Sequence, residues 1–167
     1  MIIGLSLSAF TTLHVVLSLI GIAAGIVVVL GMLGARRLPG WTALFLLTTI
    51  LTSVTGLLFP FSSLLPSHVV AIISLVVLGL AVLALYVFHL QGIWRWVYVV
   101  GAVIALYLNV FVGVVQAFQK LAFLQPLSPT QSEPPFLVTQ LAVLALFVLL
   151  AVWAVRSFHP AERVASP

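Results

Sequence analysis

The sequence predicts an all-α integral membrane protein, a helical bundle with five transmembrane helices, and three observations predict it. Of its 167 residues, 64% are hydrophobic and only 5% are charged, with a mean hydropathy of +1.40. A soluble domain does not reach such values, because it must still clothe its surface in polar groups. Five apolar runs of about 18 residues or more are present, the length that a helix rising about 1.5 Å per residue needs to cross the hydrocarbon core. Alternating strand patterns are missing, and a backbone cut off from water must satisfy its own hydrogen bonds, which leaves the helical bundle. Residues 1–167 are therefore expected to form one transmembrane domain.

The first helix is expected over residues 7–33 and ends at Arg36-Arg37-Leu38-Pro39-Gly40. No basic residue precedes this run, its apolar stretch is too long for a signal-peptide core, and no small-residue cleavage site follows near Arg36, so it reads as a retained span. The second is expected over residues 41–61, with Pro60 and Pro66 bracketing a short turn. The third follows over residues 67–90, with Ser67 as a candidate N-cap. Gln91 and Gly92 separate it from the fourth, at residues 93–118. The stretch "LQPLSPTQSEPP", residues 124–135, forms the long loop before the fifth helix, at residues 135–158.

Five spans place the termini on opposite sides, and Lys and Arg then sort the loops. Arg36, Arg37, Arg95, Arg156 and Arg163 fall on one side, and Lys120 falls on the other near Glu133. The expectation is an outer N-terminus and a cytoplasmic C-terminus, with the formal charge of +4 spent on topology rather than on nucleic acid. Trp41, Trp94, Trp96 and Trp153 then lie toward the inner interface, where indole rings anchor.

With direction assigned, depth follows from position along each helix. His14 and Ser18 fall in the outer half of the first helix, Thr52, Ser53 and Thr55 in that of the second, and His68 opens the third. Asn109 is near mid-depth in the fourth, Gln116 is near its outer end, and Thr139 and Gln140 begin the fifth. Asn109, Gly113, Gln116 and Lys120 share one helical face, as do His14, Ser18, Gly21 and Gly25. Both stripes are expected to face the bundle interior.

The candidate ligand site is accordingly His14, Ser18, Thr55, His68, Asn109, Gln116, Lys120 and Gln140. Hydrogen bonding between helices accounts for the same residues without any ligand, and the hydroxyls of Thr48, Thr52, Ser53 and Thr55 can bond to their own helix's carbonyls. The small residues at Gly21 and Gly25 suit close packing, either within the chain or between copies. An ionisable side chain inside a span is a functional candidate by default, and His14 is the one that lies well within a span.

Other chemistry is narrowly bounded. The chain has no cysteine, which removes disulfides, thiolate metal sites and cysteine nucleophiles. Asp is absent, and Glu133 and Glu162 both fall outside the apolar runs, so ion-coupled transport and carboxylate-assisted hydrolysis lack their residues. A small-solute channel or transporter needs a continuous polar path, and the inner half offers mainly Thr48, Thr49 and Gln91. His14 and His68 are possible ligands of a b-type haem, and His14 a possible partner of a quinone. Trp94, Arg95 and Trp96 read either as a lipid head-group contact or as plain interfacial anchoring. The Pro-rich stretch "SPTQSEPPF" is expected to be extended.

Three segments, "TSVTGLLFPF" (residues 52–61), "ALYLNVFVGVVQAFQK" (residues 105–120) and "PTQSEPPF" (residues 129–136), together resemble a group of short uncharacterised multi-pass membrane proteins of bacteria. The resemblance covers most of the chain and implies the bacterial inner membrane, without bringing any activity, cofactor or site residue. The expected function is an accessory subunit or small-ligand-binding module with a polar pocket on the outer side. Electron transfer through haem or quinone is the alternative from another class. The expected partners are the lipid bilayer and either further copies of the chain or a membrane complex.

Overall fold

The computed structural model describes residues 4–59 and 66–160. Among these, five helices are long and apolar enough to cross a membrane: α1 (Leu7–Leu33), α2 (Pro39–Leu57), α3 (Pro66–Val82), which reaches that length with the π turn that continues it to Val87, α4 (Trp94–Lys120) and α5 (Pro134–Ser157). Pro60 and Phe61 at the expected end of the second helix, and Glu162 and Arg163, lie outside the described residues.

Each helix begins and ends for a local reason. Ser6 caps α1 by accepting a hydrogen bond from the Ala9 amide at 3.2 Å, which supplies one of the acceptors that a helix start lacks. The far end of α1 closes in a paired turn, with Arg36 N–H donating to the Gly31 carbonyl at 2.8 Å and Ala35 N–H to that of Met32 at 3.1 Å. This arrangement calls for a left-handed residue, most often glycine. Ala35 takes the position at φ +54°, although Gly34 stands one residue earlier. Pro39 starts α2 two residues before the expected boundary, at a position where its missing N–H costs nothing.

The third span departs most from expectation. In place of a continuous helix over residues 67–90, α3 gives way to a π turn, Leu83–Val87, and His89 and Leu90 take left-handed φ values of +48° and +62°. Apolar periodicity does not distinguish α from π winding, so the sequence carries no sign of this turn. Ser67 lies inside α3 rather than capping it, because the helix starts at Pro66. The starts and ends of α4 and α5 fall within two residues of the expected ones.

In the bundle α1, α2, α3 and α4 pack as a ring, each against the next and α4 against α1, while α5 lies outside in contact with α4 and α1. The core runs through Phe45, Leu78, Val99 and Leu106, with Ala24, Ala81, Ala102 and Ala105 between them. Small side chains at these crossings let the helices approach, which is the main route to van der Waals attraction where no water drives association. One end of the bundle gathers the α1–α2 turn, the α3–α4 turn and the C-terminus of α5, with Arg36, Arg37 and Arg156; it is called here the arginine end. The other, the loop end, holds the start of α1 and the α4–α5 connection.

That connection is wound up, not extended as its prolines suggest. It contains a 3-10 turn, Gln125–Leu127, and then closes on the Glu133 carboxylate. Ser128 Oγ donates to it at 2.6 Å, Thr130 Oγ1 at 2.8 Å, and the amides of Thr130 and Ser132 at 3.2 and 3.1 Å. These donors favour the charged form and hold its pKa well below the ordinary value of 4.5, at about 2.

Candidate functional site

The polar residues singled out in the sequence fall into a chain of bonds between helices. His14 Nδ1 and Thr55 Oγ1 are 2.8 Å apart, joining α1 to α2. The Thr55 hydroxyl is directed at the Leu51 carbonyl at 2.7 Å, which makes Nδ1–H the donor of the pair and leaves the lone pair on Nε2. Phe59 stands edge-on to the imidazole at 5.3 Å and to Phe10 at 5.0 Å, so one side of the His14 ring packs against an aromatic pair. Gly56 lies beside it, and a Cβ there would meet His14 Cε1 at 3.5 Å.

Ser18 Oγ donates back to the His14 carbonyl at 2.9 Å. Asn109 Nδ2 reaches the Ser18 carbonyl at 3.5 Å and so connects α4 to α1. It does so beside Gly21, whose bare backbone faces Thr48 and Thr49 of α2 as well as the Asn109 amide. One turn further, Gly25 faces Phe45 and Leu106. Both glycines are buried, so this face is used up by α2 and α4 within a single chain. Of the two uses expected for Gly21 and Gly25, the structure shows packing within the chain.

The stripe on α4 is only partly interior. Asn109 is 9% exposed, whereas Gly113, Gln116 and Lys120 are exposed as α4 runs on toward the loop end. Gln116 and Lys120, one turn apart, share one face of α4. His68 is buried at the start of α3, at 3% exposure. Gln140 donates through Nε2 to the Phe111 carbonyl at 3.2 Å, joining α5 to α4, while its Oε1 is buried without a partner.

The threonines of α2 do what hydroxyls in apolar helices commonly do. Thr48, Thr52 and Ser53 bond to the carbonyls of Leu44, Thr48 and Thr49 at 2.7–3.0 Å. Two ties were not singled out in the sequence: Ser53 Oγ lies 3.1 Å from Ser74 Oγ, between α2 and α3, and Thr42 Oγ1 lies 3.5 Å from the Tyr98 hydroxyl, between α2 and α4. Ser74 and Tyr98 were legible only as isolated polar groups in long apolar runs.

Arg95 ties the start of α4 to the end of α5. Its Nη1 donates to the carbonyls of Val155, in the last turn of α5, at 3.1 Å and of Phe158, the residue that caps it, at 2.7 Å. A cation at a helix C-terminus both satisfies orphan carbonyls and complements the helix dipole. The guanidinium also lies 5.6 Å from the Trp96 ring centre, and Trp94 stacks on Phe88 at 3.8 Å. Among the described residues, no three His, Cys, Asp or Glu side chains gather as a metal site would require. No family model matches the chain, and neither a curated protein nor a solved structure is similar to it.

Proposed function

We propose that this chain is a multi-pass protein of the bacterial inner membrane that acts as an accessory subunit or small-ligand-binding module, without catalysis of its own. Its N-terminus lies outside and its C-terminus in the cytoplasm. The observation that supports this reading best is the setting of His14. One ring nitrogen is anchored on Thr55 and the other keeps its lone pair among the described residues, while Gln116 and Lys120 are exposed toward the same, loop end of the bundle on α4. An acceptor, an amide and a cation around an aromatic-lined ring suit a small molecule with a hydroxyl and a negatively polarised oxygen.

The test is native mass spectrometry of protein extracted with its own lipids, together with its absorption spectrum. A small molecule retained by the wild type and lost in His14→Phe, at unchanged helix content, is the expected result. A Soret band would replace the reading with a haem protein, and retention in both proteins would remove His14 from the site. The orientation rests on Arg36, Arg37, Arg95 and Arg156 at one end against Lys120 at the other. Because the chain has no cysteine, Gln125→Cys and Gln91→Cys each introduce a unique thiol. An impermeant maleimide on intact cells should label the first and spare the second, and the reverse pattern would invert the topology.

A further inference from the structure

At the arginine end, a cavity of about 160 Å³ opens between the α1–α2 turn and the α3–α4 turn. One water molecule needs only about 10–15 Å³ of such space, so the cavity has room for a polyatomic group. Its apolar floor includes Met32, Leu85 and Phe158, all buried. Its polar lining is Arg36, Arg37, Thr42, Tyr86, His89 and Tyr98. Each of these side chains can donate a hydrogen bond, and none is a carboxylate or an amide.

The two arginines have no acidic partner among the described residues. Glu133, the sole carboxylate there, is at the opposite end of the bundle with both oxygens engaged by its own loop. The first turn of α2 adds to the same field, since Leu38 and Pro39 line the cavity and Leu38 offers no side-chain cap to the amides that follow. Backbone strain is concentrated here as well. Ala35, His89 and Leu90 are three of the four non-glycine residues with left-handed φ among the described residues, and all three belong to the two turns that frame the cavity. Such conformations cost stability and collect where a side chain must be held in place. The left-handed turn at Ala35 sets the direction of the two arginines, and the π turn followed by His89 brings a phenol and an imidazole to the facing side.

From this juxtaposition we infer that the arginine end of the bundle is a binding site for a phosphate group, presented either by an acidic phospholipid or by a soluble phosphate. Guanidinium groups match phosphate oxygens in charge and fork geometry, and the Tyr98 and Thr42 hydroxyls supply neutral donors deeper in the wall. The site is separate from the His14 end and does not depend on it.

The full chain in phosphatidylcholine nanodiscs is the material for the test. One arm adds phosphatidic acid and counts retained lipid by native mass spectrometry. The other titrates inorganic phosphate and follows binding by phosphorus NMR. Selective retention of phosphatidic acid without phosphate binding assigns the lipid source, and saturable phosphate binding assigns the soluble one; either result supports the site. Arg36→Gln with Arg37→Gln should weaken the binding about tenfold or more, as expected for losing charged hydrogen bonds. His89→Gln should weaken it less. Arg156→Gln, at the same end but outside the cavity lining, should leave it unchanged. Equal loss in Arg156→Gln would mean diffuse attraction to surface charge and overturn the proposal. So would the absence of binding in both arms.

Discussion

Adding one methyl group at residue 25 tests the tightest crossing of α1 with its neighbours. A Cβ on Gly25 would stand 2.7 Å from Leu106 Cδ1 and 2.8 and 2.9 Å from Phe45 Cε2 and Cδ2. Ordinary carbon–carbon contact lies at about 3.5–4.0 Å, so partners on two helices must both retreat by most of an ångström. Neither has free space: Phe45 is 0% and Leu106 1% exposed. Overpacking of this kind costs about 1–3 kcal/mol, and the better helix propensity of alanine returns about 1 kcal/mol. With two fully buried partners to displace, the cost belongs in the upper half of that range, about 2–3 kcal/mol, so the expected net destabilisation of Gly25→Ala is about 1–2 kcal/mol. Gly79→Ala is the internal control, since a Cβ there meets nothing within 4 Å; it should be neutral or stabilising by up to about 1 kcal/mol. Reversible unfolding in mixed detergent micelles, followed through the four tryptophans, measures both. A Gly25→Ala protein as stable as the wild type, or a Gly79→Ala protein equally impaired, would refute the packing of α1 against α2 and α4.

Three further perturbations separate the remaining ties. In a double-mutant cycle, His14→Phe and Thr55→Val should couple by about 0.6 kcal/mol and by no more than about 1.7; a coupling near zero in the same unfolding assay would dissolve the α1–α2 bond. Arg95→Gln removes the clamp on the last carbonyls of α5 and should cost about 1.5–3 kcal/mol, read as faster amide exchange confined to residues 150–158, whereas exchange unchanged there would show that α5 is held by apolar packing alone. For Glu133, whose pKa is depressed, the stabilisation of its loop is complete above the ordinary value of 4.5 and is lost as pH falls through about 2. Proteolysis within residues 128–133 should therefore accelerate for Glu133→Gln at neutral pH, and equal rates for the two proteins would show that the carboxylate does not organise the loop.

The positions of α1, α4 and α5 could be read from the chain because apolar length is a local quantity that sums along the sequence. The same reasoning placed α2 and α3 but missed the π turn, because apolar periodicity does not distinguish α from π winding. The α4 stripe shows a similar limit. Helical spacing puts Asn109, Gln116 and Lys120 on one face, yet only Asn109 lies where α1 and α2 come close enough to bury it. Arg95 gave no sign of its carbonyl partners, since those sit 60 and 63 residues away in the chain. The arginine-end cavity was equally hidden, because Arg36 and His89 become neighbours only when two separate turns meet.

By itself the sequence determined that this is an all-helical protein with five membrane-length helices and that its carboxylates lie outside the apolar runs. Hydrophobic content, charge position and helix length are properties of single segments, and no tertiary contact is needed to read them. Only the tertiary structure decided which faces meet, which polar groups become ties, and where a cavity is left. Helices that are apolar on nearly every side carry no stripe to say which face turns inward. That choice falls to the fit of Gly21 and Gly25 against α2 and α4, to the reach of single hydrogen bonds, and to the winding of two turns at the arginine end.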